Sequence, residues 1–174
     1  MIEGVSYYPN ILPAEVLAHL WDWLQTLSFT RTDRGIIYLS RALQGDNTNN
    51  EQAHSLIALL KSHGVDQYIP FDDVSIVKYD HGKDYVDWHY DQGPLLETGC
   101  AMGLISLGAT REIQFRRKDA PDDVHSLTME AGSLVVSREG FQHDHEHRVP
   151  PCNTNEMRLC IVLFTHNKQQ RKRV

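Results

Sequence analysis

The run Val74-Ser75-Ile76-Val77-Lys78-Tyr79 and, after a turn-rich acidic gap, Trp88-His89-Tyr90-Asp91 decide how this chain is read. Up to residue 72 the apolar residues recur mainly at helical spacing, with one short strand expected over 35–40; from Asp73 onward they fall into short runs separated by turn residues, too closely spaced for crossover helices. Eight such runs are expected as strands: 74–79, 85–89, 101–107, 112–116, 126–129, 133–136, 145–149 and 158–165. A series of this kind predicts a sandwich or barrel. Upstream, Val16, Leu20, Trp23, Leu24 and Leu27 form one helical stripe opened by Pro13. A second helix over 51–63 turns Ala53, Leu56, Ile57 and Leu60 inward and stops at Gly64. The expected fold class is therefore mainly β with flanking helices.

Trp88-His89-Tyr90-Asp91 also carries chemistry. On extended backbone, residues two apart share a face, so His89 and Asp91 can aim a ring nitrogen and a carboxylate oxygen at one point. With 10 histidines and 14 aspartates, about one H-x-D is expected by chance, so the pattern needs company. It has company in Gln142-His143-Asp144-His145-Glu146-His147, 58 residues downstream at His147, and in Arg158 at the head of the last apolar run. A mononuclear iron site with open positions takes two histidines and one carboxylate on one side of the ion. His143, His145 and His147 alternate on one strand face, and spacing alone does not choose among them; His147 is favoured because it precedes Arg158 by 11 residues, enough for one turn and one returning strand. Arg158, Cys160, Val162 and Phe164 share a face. An inward guanidinium needs an anion, either an internal Asp or Glu or a dicarboxylate cosubstrate gripped by two hydrogen bonds.

Composition narrows the class. The 174 residues are 41% hydrophobic and 23% charged, as in an ordinary globular domain. No apolar run approaches the length of a membrane span, and no leader pattern opens the chain, so a soluble protein of the cytoplasm, or of the nucleus in a eukaryote, with no membrane partner is expected. Cys100, Cys152 and Cys160 are odd in number and show no C-x-x-C spacing, which argues against a disulfide framework or zinc knuckle. A net charge of -6 disfavours indiscriminate adsorption to nucleic acid, although local basic patches remain available.

Four stretches together resemble the AlkB family of Fe(II)- and 2-oxoglutarate-dependent dioxygenases. They are Val77-Lys78-Tyr79 with Val86-Asp87-Trp88-His89-Tyr90-Asp91; Ile105-Ser106-Leu107-Gly108-Ala109-Thr110-Arg111-Glu112-Ile113-Gln114-Phe115-Arg116; Gly132-Ser133-Leu134; and His147-Arg148-Val149-Pro150 followed by Arg158. The resemblance implies a double-stranded β-helix, or jelly roll. It further implies Fe(II) held by His89, Asp91 and His147, with Arg158 on the distal carboxylate of 2-oxoglutarate and Tyr79 beside that cosubstrate, and O2 as the second cosubstrate. Members demethylate nucleic-acid bases oxidatively, as in DNA repair, so methylated DNA or RNA, single-stranded or with the base flipped out, is the expected partner.

On that reading 1–174 is one dioxygenase domain, with 1–72 as helical support and a reduced substrate lid, 73–166 as the β core with its metal site, and 167–174 as a basic tail. Tyr90 and Trp88 are candidate platforms for a base, Trp88 being as readily explained by packing. Arg41 in the lid, and Arg111, Arg116, Arg117 and Lys118, are candidate phosphate contacts. The chain departs from the family where an arginine often lies six residues after Arg158, here Phe164, and where an asparagine is common two before the tyrosine, here Val77. Gln92-Gly93-Pro94 also replaces further acidic residues. A 2-oxoglutarate-dependent hydroxylase of a protein side chain or small molecule, and a catalytically silent β-barrel binding module, are the alternatives.

Overall fold

The computed structural model describes residues 2–31, 38–40, 50–91 and 100–164, with backbone alone at 38–40. In chain order the elements are β1 Val5–Tyr8, α1 Ala14–Gln25, β2 Phe29–Arg31, β3 Tyr38–Ser40, α2 Glu51–Ser62, a 3-10 turn Val65–Gln67, β4 Asp73–Tyr79 and β5 Val86–His89. There follow β6 Met102–Gly108, β7 Arg111–Arg117, β8 Ala120–Met129, β9 Leu134–Ser137, the short helix α3 Phe141–Asp144, β10 His145–Val149 and β11 Arg158–Phe164. Seven strands form a major sheet in the order β1-β9-β6-β11-β4-β3-β2, and four a minor sheet in the order β5-β10-β7-β8, paired antiparallel throughout. The expected jelly roll with flanking helices is what forms. No helix among the described residues is long and apolar enough to cross a membrane.

The unbroken apolar run of β11 is explained by its position. It lies between β6 and β4 and is buried on both faces. Leu159, Ile161 and Leu163 face the helices, where Leu20 and Leu24 of α1 and Ala53, Leu56 and Leu60 of α2 complete one core. Cys160 and Val162 face the other way, into the space between the sheets, with Met102, Leu104, Ile113, Phe115, Phe141 and Val149. Arg158 begins the inward series, so one strand joins the helical layer to the interior of the roll. Ile161 is fully buried, and Ile161→Ala should cost about 2–5 kcal/mol, read as a fall in the denaturant midpoint at unchanged slope.

Local signals account for the helix ends. Asn50 caps α2, its Oδ1 accepting from Ala53 N at 3.1 Å, and Gly64 takes the left-handed conformation just past the end, as expected. Gly108 closes the β6–β7 turn at φ +78°, where a Cβ would meet the Trp21 ring and the Met157 carbonyl, so only glycine fits.

Three findings modify the expectations. The strand expected over 35–40 is present as β3 at 38–40, but the first 72 residues also supply β1 and β2, so they extend the major sheet rather than merely supporting it. The strand expected over 126–129 starts at Ala120, pairing with β7 along its length in an exposed hairpin whose polar sequence hides its strand character. His143 lies on α3, exposed, so the three alternating histidines do not share a strand. The expected lid arginine, Arg41, the Gln92-Gly93-Pro94 segment and the basic tail lie outside the described residues.

Candidate metal centre

His89 ends β5 and His147 sits mid-β10, directly opposite it. Along β10 the next pair is Val149 with Val86, so two steps on one strand match three on the other, a β-bulge at Asp87–Trp88. Plain alternation would put Val86 and His89 on opposite faces; the extra residue turns both inward and leaves Trp88 outside, between the Arg116 and Arg148 guanidiniums at 4.1 and 4.5 Å from its ring centre. His89 Nδ1 lies 2.7 Å from the Asp87 carbonyl, which fixes the ring and directs Nε2 toward Asp91, 4.0 Å from its Oδ1.

His89, Asp91 and His147 thus bring one donor atom each within 4.8 Å of one another, and among the described residues they are the one such group. The two rings stand 4.2 Å apart, tilted 51°. Their chemistry fits Fe(II): two neutral imidazoles and a carboxylate on one side leave the remaining positions for other ligands. His147 is buried, and burial, reinforced by His89 and opposed by Asp91, holds its pKa down at about 4. The ring therefore presents an unprotonated nitrogen throughout the physiological range.

Between about 6.5 and about 4 the unfolded chain takes up a proton at this histidine and the folded metal-free protein does not, so stability declines as pH falls through that window. Chemical denaturation of metal-free protein should show the decline, of the order of 3 kcal/mol, levelling below about pH 4. The same series on His147→Gln should be flatter.

Arg158 is 1% exposed. Nε donates to Ser106 Oγ at 2.9 Å and Nη2 approaches Met129 Sδ at 3.5 Å, while Nη1 is buried with no partner. The expected internal Asp or Glu is not found among the described residues. Tyr79, directly opposite on β4, has its ring centre 5.2 Å from the guanidinium carbon, and burial pushes its phenol well above the usual range, so it stays a hydrogen-bond donor. The unpartnered Nη1 and the neutral phenol are thus groups of the kind that meet a carboxylate.

The other expected site residues fall differently. Arg111 is 2% exposed and points inward on β7; its guanidinium donates to the carbonyls of His81, Asp84 and Pro150 and lies 5.3 Å from the Tyr79 ring centre, so it pins two loops beside Tyr79 and is not presented to a nucleic-acid phosphate. Arg116 faces outward, away from the triad, with Nε and Nη2 on Glu146 Oε2 at 3.0 and 2.8 Å. Arg117 pairs with Asp119 and Asp144. Tyr90 is half-buried, next to both expected ligands, with the Lys118 ammonium 3.5 Å from its ring centre. Lys118 itself donates to the carbonyls of Gln142 and His143, at 2.9 and 3.0 Å. His145 is stacked on Phe141 and engaged by Asp144 at 2.8 Å, apart from the triad. Reading the sequence did not single out Ser106 or Gln142; Gln142 Oε1 accepts from Asp91 N at 2.6 Å, a partnership across 51 residues that no local pattern signals.

The fold is that of the Fe(II)/2-oxoglutarate oxygenases. It matches an oxidoreductase of the 2OG-Fe(II) oxygenase family from Burkholderia pseudomallei, with a TM-score of 0.71 at 16% identity over 94% of this chain and 86% of that one. OsALKBH1 matches with a TM-score of 0.62 at 14% identity over 95% and 98%, and a Pseudomonas putida prolyl-4-hydroxylase with 0.59 at 17% over 94% and 93%. In sequence the chain is AlkB-like. It is 34% identical over 96 residues to the human alpha-ketoglutarate-dependent dioxygenase alkB homolog 3 and 32% identical over 96 residues to the bovine protein, in each case 50% of this chain. The matched stretch spans 34% of the length of either relative. No family model matches the chain.

Proposed function

We propose that the chain is an Fe(II)- and 2-oxoglutarate-dependent oxygenase that oxidises N-methyl groups on nucleic-acid bases, releasing formaldehyde. The observation that carries the reading is the pairing of two features in one interior: a His-Asp-His group whose donor atoms lie within 4.8 Å, and a buried arginine that no described acid neutralises. When bound, iron supplies O2-dependent oxidation of a C–H bond, coupled to conversion of 2-oxoglutarate to succinate and CO2. His89, Asp91 and His147 hold the ion. Arg158 offers Nη1, and Tyr79 its phenol, to the distal carboxylate. The apolar walls at Met102, Leu104, Phe115 and Val162 exclude water from the space between the sheets. Tyr90, beside the ligands, is the residue best placed to stack a base that has left its helix, at a cost of about a few kcal/mol to the nucleic acid.

The base-oxidising part of the proposal rests on the AlkB-like sequence. A protein side chain is the second substrate class, favoured by the engagement of Arg111, Arg116 and Lys118 within the protein, which leaves none of the three free for phosphate. One assay separates them. Succinate formed only with Fe(II), 2-oxoglutarate and a methylated single-stranded oligonucleotide, with matching formaldehyde, is the expected result. Succinate without any response to methylated DNA or RNA would retire the nucleic-acid reading and leave the oxygenase standing.

A further inference from the structure

We infer that Gln142 is the positioning residue of the metal centre, fixing the carboxylate of Asp91 through both its backbone and its side chain. The inference rests on the metal-binding reading of His89, Asp91 and His147. Those three residues are mounted unequally. His147 lies within β10 and His89 closes the β5 ladder, so backbone pairing holds both. Asp91 lies beyond the last residue of β5, where no ladder bond reaches it.

Gln142 takes over that task. Its Oε1 accepts from Asp91 N at 2.6 Å, while its Nε2 approaches Asp91 Oδ2 at 3.4 Å and Met102 Sδ at 3.7 Å. The partners settle which way the amide faces: an N–H can be met only by the oxygen, and a carboxylate only by the NH2. One planar group thereby restrains the residue twice. It leaves Oδ1, the oxygen on the His89 side, as the one turned to a metal.

A positioning residue must itself be held, and Gln142 is. It is 7% exposed on α3, whose neighbouring Phe141 is buried, stacked at 4.1 Å on His145 and edge-on to Phe115. The ammonium of Lys118 donates to the carbonyls of residues 142 and 143, and the Lys118 backbone N–H donates to the Asp144 carbonyl at 2.8 Å. The same ammonium rests on the ring of Tyr90, between the two metal ligands on β5 and beyond. The helix carrying Gln142 is thus tied to the β7–β8 turn and to the ligand segment at once.

The test uses Co(II) alone as the probe, titrated into metal-free protein and followed by visible absorption. Gln142→Leu, which keeps the volume and removes both polar atoms, should weaken Co(II) binding about 10–100-fold, as loss of a partner outside the ligand set does, and alter the band shape. His143→Ala, exposed on the same turn, should bind as wild type. Binding by Gln142→Leu within twofold of wild type overturns the inference. Failure of the wild type to bind Co(II) overturns instead the metal reading beneath it. A measurement on the wild type stands whether or not the leucine variant folds: the Asp91 amide should be strongly protected from hydrogen exchange in metal-free protein, and exchange at the free-peptide rate would refute the tether.

Discussion

His147→Ala is expected to reduce Fe(II) affinity by more than about a hundredfold and turnover to background, because removing a ligand costs more than removing a group that merely supports one. The ring is buried opposite His89, and the described interior holds no other donor at that spacing. His145, two residues earlier on the same strand face, cannot substitute, since it is stacked on Phe141 and engaged by Asp144. Iron binding by the purified variant, measured alongside succinate formation, checks the claim. A variant that keeps its iron and a tenth or more of its turnover would show that the ligand set has been drawn wrongly.

Arg158→Met should move stability and binding in opposite directions. In metal-free protein the guanidinium is a buried charge with Nη1 unpaired and no described carboxylate, so an apolar side chain of similar length should leave the melting temperature unchanged or raise it. Affinity for 2-oxoglutarate should fall by about 2–5 kcal/mol, roughly thirtyfold or more, because a charged hydrogen-bonded pair is truncated. Calorimetric titration and a thermal melt on the same preparation read both. Lowered stability with unaltered keto-acid binding would mean that Arg158 is structural. Arg158→Lys, which keeps the charge but not the fork, should fall between.

Much of this was written in local pattern. The change from helical to strand spacing at Asp73 located the β core, and the alternation along β11 put Arg158, Cys160 and Val162 on the inward face. The H-x-D pair could be proposed because two-residue spacing is a short-range property, and His147 because it precedes Arg158 by 11 residues. What escaped notice depends on neighbours distant in sequence. Val5–Tyr8 carries too short a run to announce a strand, yet it pairs with Leu134 to Ser137 at the sheet edge. Arg111 resembled a surface cation until the carbonyls of Asp84 and Pro150 closed around it. The first part of β8, from Ala120 to His125, is exposed and mostly polar, so periodicity registered only its end at 126–129. Gln142 belongs to the same group, since its partner lies 51 residues back.

The extra residue at Asp87–Trp88 makes segment length a stricter requirement than segment composition. Swapping either side chain changes what decorates the outer surface, whereas deleting one restores the pleat and rotates the His89 imidazole through half a turn, to where Trp88 now stands. Homologues of this chain should therefore tolerate many letters at those two places and almost no gaps.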